Sequence, residues 1–278
     1  MALKQNYNYQ SIYSQQIYLN SASASIQLNG SKKSNCTFFF SDLIKFDKNA
    51  IEMRLELVNA QIPVSWYLIN STNNTFIITV SSISTTYLFP SGNYNANTFI
   101  STFQTYMGAS WSMAFNSITN KFTFGYSGGQ FTLSDGLNSI FSIIGFASGS
   151  SYTSSGNNLL SPYSVMFGGL TKINIMSSTF NLSNADSKTR GQVQTISSIP
   201  VSTIQGGYIL YSNYTNFKSV FRNHSLSSIN IQIQDDFKND IDFNNVDWTI
   251  TLQIDVIKEV IQSIDNLDDV YKNLTQEI

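Results

Sequence analysis

One histidine, His224 in the stretch RNHSLSS, and one cysteine, Cys36, are all the imidazole and thiol that this 278-residue chain contains. A metal held by several histidines is therefore out of reach, and a lone thiol cannot build a thiolate cage. A serine triad could still recruit His224, but the G-x-S-x-G turn that presents a nucleophilic serine is missing. Neither G-x-x-x-x-G-K-[ST] nor G-x-G-x-x-G occurs, and the Gly-Gly pairs at 128–129, 168–169 and 206–207 suit turns beside strands. The densest acidic stretch is QDDFKNDIDFNNVDW, residues 234–248. Asp240, Asp242 and Asn244 imitate the first three ligands of a calcium loop. The match then breaks, because Asn245 stands where the loop needs Gly and Thr251 where it needs Glu. The stretch reads as a polar hairpin. The expectation is a protein without catalytic residues, metal or cofactor.

Composition turns the question from reaction to contact. Charged residues make up 12% of the chain, against about 25% in ordinary soluble domains. Asn, Ser, Thr and Gln take their place. Neutral polar groups cost less to desolvate than ions, which suits extended lateral contacts. The formal net charge is −2 and the densest basic spot is the pair Lys32–Lys33. No stripe that could track phosphates is visible, so no nucleic-acid partner is expected. The N-terminus is polar and lacks the apolar segment of a signal peptide. No run approaches the ~20 apolar residues of a membrane span. Aromatics reach 14%. They serve as core filling and interface anchors, or, if exposed in rows, as a glycan-binding surface.

Period-two alternation supplies the framework. Ile51, Met53, Leu55 and Leu57 alternate with Glu52, Arg54 and Glu56; Ile229, Ile231 and Ile233 alternate with Asn230, Gln232 and Gln234. Trp248, Ile250, Leu252, Ile254 and Val256 make the longest case. Each predicts a strand with one buried and one solvated face, and many such strands predict a sandwich or barrel. Helical spacing is read at Ala96, Phe99, Ile100, Phe103 and Met107, and again at Leu137, Ile140, Phe141 and Ile144 with Gly145 as the stop. These two helices flank a hairpin and define an α/β excursion over about 92–146. A third helix is read over 257–278, where Ile257, Val260, Ile264, Leu267, Tyr271, Leu274 and Ile278 keep a heptad spacing. That seam would either fold back on the domain or reach a neighbouring subunit. Residues 1–16 have no period and read as an arm.

Four passages, taken together, resemble the minor capsid and penton proteins of the virophage, polinton-like and nucleocytoplasmic large DNA virus group. They are IPVSWYLIN (62–70), SGNYNANTFISTF (91–103), SIFSIIGF (139–146), and SIPVSTIQGGYILYSN (198–213) followed by the strand pair of 228–254. The matched structural residues are Pro63, Ser65, Trp66, Tyr67, Gly92, Asn93, Tyr94, Pro200 and Trp248. Pro63 can end a strand because it donates no N–H, and Gly92-Asn93-Tyr94 suits a turn and a cap. The resemblance implies an all-β, single jelly-roll sandwich over 17–256, carrying the excursion and followed by the C-terminal helix. It further implies a structural virion component, made in the host cell without a signal peptide. Its expected partners are further copies of itself, favouring a pentamer, together with the major capsid protein and other minor capsid proteins. The competing reading is a glycan- or receptor-binding virion protein built on the same sandwich.

Overall fold

The computed structural model describes residues 6–46, 50–182, 184–186, 191–221 and 225–263. The first strands are β1 (Asn6–Asn20), β2 (Ile26–Gln27), β3 (Asn35–Lys45) and β4 (Ala50–Pro63). Next come β5 (Thr75–Val80), β6 (Ile83–Leu88), helix α1 (Ala96–Met107), β7 (Trp111–Asn116) and β8 (Lys121–Tyr126). Then follow β9 (Phe131–Ser134), β10 (Ser151–Thr153), β11 (Asn158–Leu160), β12 (Lys172–Met176) and β13 (Asn184–Asp186). The remaining described strands are β14 (Gly191–Val193), β15 (Thr195–Pro200), β16 (Tyr208–Ser212), β17 (Ser219–Phe221), β18 (Ser225–Gln234) and β19 (Thr249–Ser263). They fall into two units, one made of residues 1–65 with 172–278 and the other of 66–171.

In the first unit one sheet has the order β1-β19-β4-β16, with β17 also beside β4, and the other runs β15-β12-β18-β3-β2. Setting aside the short β2, β13, β14 and β17, the strands in chain order occupy positions 1-8-3-6 and 5-4-7-2. That is the strand order of a jelly roll, a doubled Greek key closed into two sheets. Alternation decides which side faces inward. Ile229, Ile231 and Ile233 of β18 are completely buried, as are Leu252, Ile254 and Val256 of β19. Each such side chain contributes about 1.5–3 kcal/mol relative to an exposed one.

Two bulges in β4 refine the pattern. Thr251 pairs with Asn59 but the next residue, Leu252, pairs with Leu57, so Val58 is extra. The inserted residue switches parity, which lets Met53, Leu55 and Leu57 on one side of it and Ala60 and Ile62 on the other all face the core. The second bulge skips Ile51, and Ile51 is exposed although it heads an apolar alternation.

Both chain ends depart from the sequence expectation. Residues 6–16 belong to β1 rather than to an arm, because they pair with β19 in unbroken register from Asn6↔Ser263 to Asn20↔Thr249. Likewise residues 257–263 continue β19 and do not begin a helix. The apolar residues of IKEVIQS, Ile257, Val260 and Ile261, keep a 3-4 spacing and do not alternate, but all three are β-branched and suit a strand. The strand partner, some 240 positions away, decides the outcome.

The second unit holds two smaller antiparallel sheets, β10-β9-β5-β6 and β11-β8-β7, and helix α1. It spans 66–171, wider than the 92–146 excursion, because β5, β6, β10 and β11 belong to the same sheets as the segment between them. Asn95 caps α1, its Oδ1 accepting from the Thr98 amide while Thr98 Oγ1 accepts from the Asn95 amide, both at 2.9 Å. The buried face of α1 is Phe99 and Phe103. Phe99 stacks on Phe89 at 4.4 Å and Phe103 meets Phe124 edge-on at 5.5 Å.

The predicted helix over 137–144 is only a turn. The Thr75 amide donates to Asn138 O and the Thr75 carbonyl accepts from the Ile140 amide, which holds this segment against β5. One turn then closes, with the Ile143 and Ile144 amides both donating to Ile140 O. Gly145, at φ +85°, leads out of it. A Cβ there would run into the Tyr163 carbonyl oxygen, so the close approach of that backbone excludes any side chain.

Candidate functional site

The acidic stretch is not the expected hairpin, because β18 and β19 lie in different sheets; it is a crossover whose carboxylates act as scaffolding. Asp240 accepts from Gln232 Nε2 at 2.9 Å, Gln234 Nε2 at 3.0 Å and Asn29 Nδ2 at 3.2 Å. Asp235 closes a turn by accepting the amides of Phe237 and Asn239, both at 2.8 Å. Asp242 takes the Asn244 amide at 2.9 Å, and Asp236 pairs with Lys172 at 3.2 Å. Asp240, Asp242 and Asn244 therefore point to separate local partners. Among the described residues no three His, Cys, Asp or Glu side chains are placed to hold one cation.

Asp247 and Trp248 anchor the end of this stretch. Lys33 Nζ donates to Asp247 Oδ1 at 2.7 Å, as does Ser21 Oγ, and the Trp248 indole N–H donates to the Lys33 carbonyl at 2.7 Å. The hydrogen bond from Lys33 leads in holding the Asp247 carboxyl below the usual carboxylate range, with Ser21 assisting and burial opposing. Trp248 itself is fully buried and meets Phe38 edge-on at 6.1 Å. Cys36 lies beneath, and burial pushes its thiol up to about 11, so it stays protonated near neutrality. His224 lies outside the described residues.

A second polar cluster sits on the outward side of the first sheet, and no sequence motif marks it. Lys218 Nζ lies 2.5 Å from Asp255 Oδ2 and 3.2 Å from Glu56 Oε2, and both acids are 8% exposed. Ser14 Oγ and Gln253 Nε2 donate to Asp255 Oδ1 at 2.6 and 2.9 Å. Asn213 Nδ2 bonds both Glu56 Oε1 at 3.0 Å and the Phe217 carbonyl at 3.1 Å. Burial by itself would raise the Asp255 carboxyl, but the bonds from Lys218, Ser14 and Gln253 outweigh it and hold the group low. The same contact with Asp255 raises Lys218. The cluster fastens the 213–218 segment onto the sheet. A signal was present: Glu56 and Asp255 occupy outward positions of strands whose inward positions are all apolar.

The resemblance-bearing residues have structural partners. Pro63 ends β4 opposite Tyr208. Ser65 Oγ donates to the Phe243 carbonyl at 2.7 Å. Trp66 is buried, whereas Tyr67 is 43% exposed. Gly92 and Ile69 exchange backbone bonds at 2.8 and 3.0 Å, and Asn93 Oδ1 accepts the Leu68 amide at 2.7 Å. Tyr94 donates to the Pro90 carbonyl at 2.9 Å, and burial raises its phenol. Pro200 ends β15 opposite Lys172. Of the heptad residues, Ile257 is buried within β19 and Val260 pairs with Tyr9. Ile264, Leu267, Tyr271, Leu274 and Ile278 lie outside the described residues.

What remains for recognition is surface. Large apolar side chains stand exposed at the first sheet's margins, Tyr18 and Leu210 at 74% each and Ile12 at 57%. The outward side of the second sheet is an amide and hydroxyl ladder, in which Asn230 Nδ2 donates to Asn35 Oδ1 at 2.9 Å and Ser198 Oγ to Asn174 Oδ1 at 2.6 Å. Such groups form and exchange hydrogen bonds with a neighbour at low desolvation cost. No helix among the described residues is long and apolar enough to cross a membrane.

No protein-family profile matches the chain, and no curated protein matches it by sequence. Among solved structures, the crystal structure of the selenomethionine-labelled mavirus penton protein is similar at 13% identity and a TM-score of 0.45. The alignment covers 88% of this chain and 100% of that one.

Proposed function

We propose that this chain is a structural subunit of an icosahedral viral capsid, a minor component with the vertex as its favoured position, acting through contacts with copies of itself and with the major capsid protein. The observation that carries the reading is where the first and fourth resembling passages fall on the jelly roll, the other two lying in the second unit. IPVSWYLIN leaves β4 at the entry to the second unit, SIPVSTIQGGYILYSN joins β15 to β16, and residues 228–254 cross from β18 of one sheet to β19 of the other. They therefore mark the crossings between the two sheets and the point of insertion. The polar residues of the chain support it as well, since the carboxylates described above are engaged in holding turns and straps rather than converging on a cleft.

The test is the mass of the purified full chain in solution, by light scattering, together with screening against a glycan array. A stable closed oligomer, a pentamer for the vertex position, is the expected result. A chain that stays monomeric at every concentration and binds a defined glycan would overturn the reading.

A further inference from the structure

We infer that copies of this chain join head to tail through the two opposite edges of the first sheet, with β1 of one copy lying along the β16–β17 edge of the next. The inference rests on the capsid-subunit reading and names its contact surface.

An edge strand offers a row of unpaired N–H and C=O groups. Folded proteins guard such rows with short strands, charges, prolines and bulges. The second sheet follows that practice. Its edge strand β2 has 2 residues, and β15 carries a bulge at Ile196 and ends in Pro200. On the first sheet, the β1 edge does not. β1 runs for 15 residues, NYNYQSIYSQQIYLN, without a charge, a glycine or a proline. It pairs with β19 residue for residue and without a bulge, and no strand lies on its other side among the described residues.

The opposite edge of the same sheet is chemically its match. From Ile204 to Phe221 the one charged side chain is Lys218, and it is turned onto Glu56 and Asp255 rather than out along the edge. Leu210, Tyr208 and Val220 are exposed there, facing the same kind of neutral and apolar surface that Tyr18 and Ile12 present on β1. Bringing the two edges together therefore strands no ion.

Strand direction selects head-to-tail contact. β1 is antiparallel to β19, β19 to β4, and β4 to β16, so β1 and β16 run in opposite senses. A rotation about an axis along the strands preserves each sense. The neighbour's β1 then meets β16 antiparallel, as in every other pair of this sheet. Pairing β1 with β1 across a two-fold would stop at two copies and leave the β16–β17 edge uncovered, whereas the heterologous contact uses both edges and can close into a ring.

The test uses the full chain carrying Tyr18→Glu, Leu210→Lys, or both, with mass followed by light scattering and folding by far-ultraviolet circular dichroism. Each single change is expected to weaken association at least about tenfold, equivalent to about 1.4 kcal/mol, and the double change to restore it. Should either variant fail to fold, Ile12→Lys and Val220→Glu probe the same edges. Single variants with unchanged oligomer mass would overturn the edge assignment while leaving the capsid reading intact. A double variant as impaired as the singles would also overturn it, since β1 would then be meeting β1. A monomeric wild-type chain would instead remove the capsid reading itself.

Discussion

The jelly-roll unit and the inserted unit bury a β-rich chain with different residues and over different distances. In the jelly roll the core is mainly branched aliphatics on long strands with a few aromatics among them, and its pairings are remote: the Ser14–Asp255 hydrogen bond spans 241 positions. In the insert, Phe, Tyr and Trp from residues 66–171 stack on one another, and Phe99 alone has Phe89, Phe122 and Phe167 within 5.5 Å. Remote pairing makes the jelly roll depend on both described ends of the chain, whereas local stacking lets the insert hold its own core. The difference also divides the work. The jelly roll presents one long edge, β1, and the insert is a self-contained body carried between β4 and β12.

Calorimetry of point variants can break that division. Trp248→Ala removes a fully buried ring and the donor to Lys33 O. It is expected to cost about 3–5 kcal/mol and to lower the jelly-roll transition alone. Phe99→Ala should cost somewhat less, about 3–4 kcal/mol, and shift only the insert. A single transition moved equally by both changes would contradict two separable cores.

Lys218→Met sharpens the comparison within the jelly roll. It leaves Glu56 and Asp255 buried without their cation, at a cost of about 2–3 kcal/mol. The pH dependence follows from the directions of the shifts. Asp255 is held low, so its contribution is present above about pH 4 and is lost as pH falls through the folded-state value. Lys218 is held high, so its contribution is present below about pH 10.4 and is lost only as pH rises through its own raised value. Urea midpoints of the wild type should therefore be flat across neutrality and fall in acid, and the acid fall should be shallower in Lys218→Met. The smallest effect is Asn95→Ala, which removes the α1 cap for about 1 kcal/mol, read as a small shift of the insert transition only.

Alternation made the sandwich legible, because one-sided burial writes period two into β4, β18 and β19. It could not reveal the bulges at Val58 and Ile51, whose parity changes depend on the partner strand. Residues 6–16 and 257–263 were misread for a related reason. Uncharged β1 has little pattern of its own, and IKEVIQS keeps a helical spacing that the pairing with β1 overrides. The carboxylates at 234–248 were visible as a cluster, but their separate roles were not: Asp235 and Asp242 hold turns within the stretch, whereas Asp240 takes amides brought in from β18 and Asn29. In the Lys218–Glu56–Asp255 group Glu56 lies more than 150 positions from both partners, so no local motif could announce it.

Electron-microscopy class averages of the purified full chain test the central claim most directly. The account predicts closed rings with five-fold symmetry. Monodisperse single copies, or open filaments that never close, would contradict it.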